Sequence, residues 1–153
     1  MSALELKVPP AAQVLILGAG MWCASALVPS LAFALPGRYA FAIAFAGAGL
    51  MLGSAGVAAF RKAKTTVNPT KPGTASSLVT SGVYRLSRNP MYAGLLFLLG
   101  GWAIFLSNGV AFVFLPVFIA YMNRFQIMPE ERALSAKFGN EFAAYKQSVR
   151  RWL

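Results

Sequence analysis

The sequence predicts an all-α integral membrane protein, with about four transmembrane helices followed by a C-terminal amphipathic helix. Three observations predict it. Hydrophobic residues make up 58% of the 153 residues and charged residues only 12%, about half of what a soluble domain carries. Several uncharged apolar runs approach about 20 residues, the length that crosses about 30 Å of hydrocarbon. Twelve of the fourteen lysines and arginines fall in two segments, residues 61–90 and the stretch after residue 123. The length suits a single membrane-embedded domain, 1–153.

Residues 1–10 are polar enough to lie at an interface. Ala11 to Leu35 carries no charge and reads as the first span, with Pro29 kinking it or marking its end. A lone Lys7 and the length of the run argue against a cleaved signal peptide. Pro36, Gly37 and Arg38 form a turn. Tyr39 to Phe60 is the second span. Its Gly49 and Gly53 have the spacing that lets helices approach closely; simple small-residue filler explains them equally well. Residues 61–90 hold Arg61, Lys62, Lys64, Lys71, Arg85 and Arg88 with Pro69 and Pro72, and read as a structured loop outside the hydrocarbon. Pro90 opens the third span, Met91 to Leu106, since proline suits a first helical turn. Ser107, Asn108 and Gly109 form a turn, and the fourth span runs from Val110 to about Ile127 as the return limb of a hairpin. Pro129 starts a final helix. There Leu134, Phe138, Phe142, Tyr145, Val149 and Trp152 recur every three or four residues, while Lys137, Lys146, Arg150 and Arg151 lie elsewhere. Such a helix lies on the membrane or against the protein.

Four spans place both basic segments on one side of the bilayer. The bias of positive charge makes that side, and both termini, cytoplasmic, with the plasma (inner) membrane as the expected location. The net charge of +10 points to anionic lipid headgroups rather than nucleic acid, because the basic residues flank apolar spans. The chain has no Asp and no His, and its four acids are Glu5, Glu130, Glu131 and Glu141. A Ser-His-Asp triad and a histidine metal site are thereby excluded, and no metal is expected. Cys23 is the single cysteine. It forms no intramolecular disulfide and is expected as a small buried hydrophobe.

Two polar segments, residues 78–92 and 124–132, converge at the mouth of the third and fourth spans. Adjacent acids facing arginines and tyrosines there read either as a salt-bridged collar or as a functional site. Glu130 and Glu131 also suit a helix start for ordinary reasons.

The run Gly82-x-Tyr84-x-x-x-Arg88-Asn89-Pro90-x-Tyr92, followed by Glu130-Glu131, Phe138-Gly139 and Tyr145, resembles the isoprenylcysteine carboxyl methyltransferase family. The phospholipid methyltransferases share its C-terminal half. The resemblance covers about residues 65–153, a methyltransferase-like, cofactor-binding half. It implies a membrane-embedded, S-adenosylmethionine-dependent methyltransferase whose lipophilic or small apolar acceptor arrives from the bilayer. It implies a cofactor pocket built by Tyr84, Arg88, Asn89, Pro90, Tyr92, Gln126, Glu130 and Glu131, with Glu130, Glu131 and Asn89 at the chemistry. Two positions depart from the pattern. Asn89 stands where the family usually has histidine, and Asn hydrogen-bonds without titrating. Gln126 stands where the prenylcysteine enzymes tend to carry an arginine, and losing that cation weakens the case for a substrate carboxylate.

The residue types suit the implied chemistry. Methyl transfer from a sulfonium is an in-line displacement that needs alignment, and positioning lowers such barriers by about 7–11 kcal/mol. A carboxylate such as Glu130 binds ribose hydroxyls or an ammonium. Arg88 or a helix N-terminus holds a carboxylate. The rings of Tyr84 and Tyr92 contact adenine or the sulfonium, or else anchor the interface. Two other readings remain open at this level. A small four-helix transporter would need an ionisable residue inside the membrane, which the first three spans lack. A non-catalytic membrane scaffold would keep the fold without the cofactor. The acceptor and the oligomeric state are not written in the sequence.

Overall fold

The structure is a computed structural model that describes residues 5–65 and 76–153. Pro69, Lys71 and Pro72 of the basic loop lie outside the described residues. Five α-helices follow in chain order: α1 (Pro10–Leu27), α2 (Arg38–Lys62), α3 (Pro90–Leu106), α4 (Gly109–Tyr121) and α5 (Met128–Ser148). Short 3-10 turns occupy Pro29–Leu31 and Gly82–Arg85. Among the described residues there is no strand, and one isolated bridge joins Ala32 to Asn108.

α1, α2 and the helical stretch beginning with α4 are long and apolar enough to cross a membrane. α3 has 17 residues, about 26 Å at 1.5 Å per residue, close to the hydrocarbon thickness. Leu15, Ile16, Leu50, Met51 and Val113 are exposed on these helices, as expected where the surrounding medium is lipid.

α1 stops at Leu27, short of the expected Leu35. Proline cannot donate the helical hydrogen bond, so Pro29 begins a 3-10 turn instead. The chain then folds back, and Phe33 N–H donates to Ser107 O at 2.9 Å. Cys23 is exposed rather than buried. Leu17 and Met21 turn into the core, and two residues along a helix is about 200° around it, so Cys23 faces out.

α3 is the hub, with Ala93, Leu99 and Ala103 almost fully buried. The small residues of α2 make a specific contact with it. A Cβ added at Gly94 would lie 2.6 Å from Gly49 O and 3.0 Å from Gly53 N. At the far end Asn108 caps α4, accepting from Val110 N–H at 3.0 Å, and its side-chain amide donates to Val28 O at 2.9 Å.

α5 starts at Met128 with Pro129 in its first turn, as expected of Pro129, but no loop separates it from α4. A π-turn, Met122–Ile127, carries α4 into α5 without interruption. Met128 N–H bonds five residues back to Asn123 O. Leu6 N–H donates to Phe125 O of this turn at 3.0 Å, and beside it Glu5 pairs with Arg124 at 2.9 Å and Arg132 at 2.6 Å.

The final helix also differs from the single straight face that its periodicity suggests. Gly139 has φ 48° and ψ −119°, a conformation a side chain would disfavour. A straight helix would separate residues 131 and 151 by about 30 Å, yet Arg151 Nη2 lies 2.7 Å from Glu131 Oε2. The chain therefore reverses at Gly139 into two arms, 128–138 and 140–148. Phe142 and Tyr145 on the return arm are buried against the protein, while Leu134, Phe138, Val149 and Trp152 are half-buried.

Candidate active site

The return arm closes a cavity where α2, α3 and α5 meet. Its enclosed part is about 100 Å³, and about 680 Å³ is empty once the open mouth is counted. Tyr84, Arg88, Asn89, Tyr92, Glu130 and Glu131 all line it. Two further expected residues stand behind the wall. Gln126 is 2% exposed and touches Glu130, and Pro90 is buried at the start of α3.

The two adjacent glutamates have separate environments. Glu131 carries the collar. Arg88 donates to its Oε1 at 2.9 Å and Arg151 to its Oε2 at 2.7 Å. Burial alone would raise its pKa, but hydrogen bonds and charge from Arg151 and Arg88 outweigh burial and hold it below the usual carboxylate range. Among the described residues Glu130 has no such cation. Tyr92 O–H and Gln126 Nε2–H, the latter at 2.6 Å, both donate to its Oε1. Burial pushes its pKa up to about 7 despite these donors, and the neighbouring Glu131 charge adds to the rise.

The C-terminal tail is bonded to the wall residues Arg88 and Asn89. Arg88 N–H donates to Arg150 O at 2.9 Å, and its guanidinium donates to Lys146 O at 3.0 Å. Asn89 Nδ2 donates to Arg151 O at 2.9 Å, and Ser87 Oγ to the same carbonyl at 3.2 Å. Asn89 thus pins the tail. Tyr145 O–H donates to Tyr84 O at 2.7 Å. Burial pushes the Tyr145 phenol up to about 12 against the opposing charge of Arg88, and burial raises Tyr84 as well.

Several residues of the wall escaped the sequence reading. Phe60 comes from the end of α2 and meets the Tyr84 ring edge-on at 5.4 Å. Phe142 was visible only as one position in an apolar period. Arg151 gave no signal, because its pairing with Glu131 exists only through the reversal at Gly139.

The cavity matches a ligand that carries a cation, an acceptor group and an aromatic ring. Glu130 is a half-buried acid on the cavity wall whose hydrogen-bond donors, among the described residues, are neutral. Arg88 Nε–H is buried and has no hydrogen-bond partner among the described residues; buried donors are rarely left so, and a ligand carboxylate would satisfy it. Phe60, Tyr84 and Phe142 offer ring faces. S-adenosylmethionine, with its sulfonium, ammonium, carboxylate and adenine, fits that donor set.

Fold and site together define a polytopic helical membrane protein with a buried acidic and aromatic pocket at one mouth of its bundle. A family model for phospholipid methyltransferase matches residues 36–141, and the chain belongs to that family of membrane methyltransferases. The match takes in α2, which packs along α3, and stops before most of the return arm. An uncharacterized protein of Haemophilus influenzae is 48% identical over 63 residues, 41% of this chain and the whole of that one. Protein-S-isoprenylcysteine O-methyltransferase A of Arabidopsis thaliana is 39% identical over 72 residues, 47% of this chain. The chain spans only 36% of the plant enzyme's length. No solved structure matches the chain.

Proposed function

We propose that the protein transfers the methyl group of S-adenosylmethionine to a lipophilic or small apolar acceptor that enters from the bilayer. The observation that carries this reading is the division of labour between two adjacent acids. Glu131 is neutralised by Arg88 and Arg151, while Glu130 faces the cavity with only neutral donors on it. A half-buried carboxylate without a cation complements a cationic ligand.

When bound, the donor would supply an activated methyl group for in-line transfer to an acceptor lone pair, the S–C bonding electrons staying on sulfur. The protein's share is placement. Glu130 holds a cationic or hydroxyl-bearing part of the donor. Arg88 directs its unpaired Nε–H at a carboxylate. Phe60, Tyr84 and Phe142 enclose the ring. The return arm keeps water from the reacting atoms. Asn89 and Glu131 serve by fixing the C-terminal tail against the wall.

The site faces the cytoplasm in this reading, and anionic headgroups contact the basic residues around it. The test is incubation of purified protein and membrane extract with S-adenosylmethionine carrying a labelled methyl group. Mass spectrometry should find label in a lipophilic product that a boiled control lacks. Absence of any labelled product, together with absence of donor binding, would remove the proposal.

A further inference from the structure

The π-turn that joins α4 to α5 sits directly behind Glu130, and the N-terminal segment holds it. Gln126, within the turn, reaches Glu130 four residues on, and its amide also lies 3.3 Å from Tyr92 O–H. Leu6 N–H reaches into the turn and donates to Phe125 O at 3.0 Å. Leu6 takes the left-handed backbone (φ 59°) there, uncommon for a leucine. Glu5 straddles the same turn. Its carboxylate, 4% exposed, binds Arg124 two residues before Gln126 and Arg132 two residues after Glu130.

We propose that the Glu5–Leu6 segment is positioning machinery for the site, clamping the π-turn in the register that sets Gln126 against Glu130. The inference rests on the reading of Glu130 as the donor's carboxylate ligand. Glu5 touches no ligand in this account; it acts through Gln126.

The test is Glu5→Gln in the full chain, with S-adenosylmethionine affinity measured in detergent from about pH 6 to 8.5, around the Glu130 transition. The titratable and charged groups near Glu130 are Tyr92 on α3, Tyr84 on the 3-10 turn, Glu131 on its own helix, and Arg88 opposite. A phenol ordinarily titrates near 10, burial raises Tyr84 further, and two arginines keep Glu131 ionised. Glu130 is therefore the protein group beside the cavity whose charge changes in that window, and the donor's α-amino group, which titrates at about 8, is common to wild type and variants.

The two effects of Glu5→Gln have opposite signs. Removing a negative charge and freeing two arginines would stabilise ionised Glu130 and move the binding midpoint down in pH. A slackened turn withdraws the Gln126 donor, which favours ionised Glu130, and moves the midpoint up. We expect the upward shift, with affinity at pH 7 lower by about tenfold and recovered at the alkaline end. Gln126→Met should give the same shift, and the double variant no more than either alone, the signature of coupled residues. A downward or absent shift, or additive shifts, would overturn the proposal, including where only thermal stability falls. Should Glu5→Gln fail to fold, Arg132→Lys loosens one side of the clamp while keeping the charge and must show the upward shift. A wild-type protein that binds no donor would instead sink the reading of the site itself.

Discussion

The Arg151 guanidinium lies 2.7 Å from the Glu131 carboxylate although twenty residues separate them. That contact requires the reversal at Gly139, whose φ of 48° and ψ of −119° suit glycine alone among common residues. Gly139→Ala should cost about 1–3 kcal/mol of stability and weaken donor binding, because the return arm carries Phe142 and Tyr145 into the cavity wall. Thermal unfolding and donor titration of the purified variant check both. A variant with unchanged melting and binding would mean that the arms are not held as described.

Glu131→Gln should act on stability before it acts on binding. It leaves Arg88 and Arg151 without their shared carboxylate at a site only 11% exposed. Removing one partner of a buried pair costs about 3 kcal/mol. The melting temperature of this variant should fall well below that of Glu130→Gln. The reverse order would contradict the separate roles given to the two acids.

Donor affinity should rise with pH through about 7. Below that value the raised pKa keeps Glu130 protonated and unable to complement a cation; above it the carboxylate is charged. Stability of the unliganded protein runs the other way. Glu130 is raised in the folded state above its ordinary 4.5, so its contribution is full below that value and is lost as pH rises through about 7. Glu131 is lowered, so its contribution is present above the usual carboxylate range and is lost as pH falls through its folded value. Titrations at several pH values, paired with melting curves, check both slopes. A donor affinity that does not change between about pH 6 and 8 would remove Glu130 titration from the site.

Gly94→Ala should destabilise the bundle by about 1–3 kcal/mol. Its added Cβ would meet Gly49 O at 2.6 Å, and both neighbours are backbone that cannot swing away. Gly47, which has nothing within 4 Å of an added Cβ, is the matched control, and Gly47→Ala should leave the melting temperature close to wild type. Equal effects at the two positions would contradict close α2–α3 packing.

The spans were legible because hydrocarbon imposes a long apolar run, and α2, α3 and the Ser107-Asn108-Gly109 turn fall within a residue or two of expectation. The helix that starts beside Pro129 was legible, since proline suits a first helical turn. Its direct junction with α4 through a π-turn was not, because one residue of extra winding leaves no mark in an apolar run. The cluster of Tyr84, Arg88, Asn89, Tyr92 and the two glutamates was legible as a motif. Which glutamate faces the cavity was not, because adjacent acids look alike until Arg151 arrives by way of Gly139. Phe60 was hidden for a different reason: an aromatic at the end of a span looks the same whether it faces lipid or ligand.

The most direct test of the account is titration calorimetry of S-adenosylmethionine against wild type and Glu130→Gln, prepared in one detergent and melted in parallel. A hydrogen bond to a charged group is worth about 1.5–3 kcal/mol. The account therefore predicts that the variant loses about 10- to 150-fold in affinity while its melting temperature stays near wild type, since Glu130 is half-buried without a compensating cation. A well-folded Glu130→Gln protein that binds the donor as tightly as wild type would contradict it.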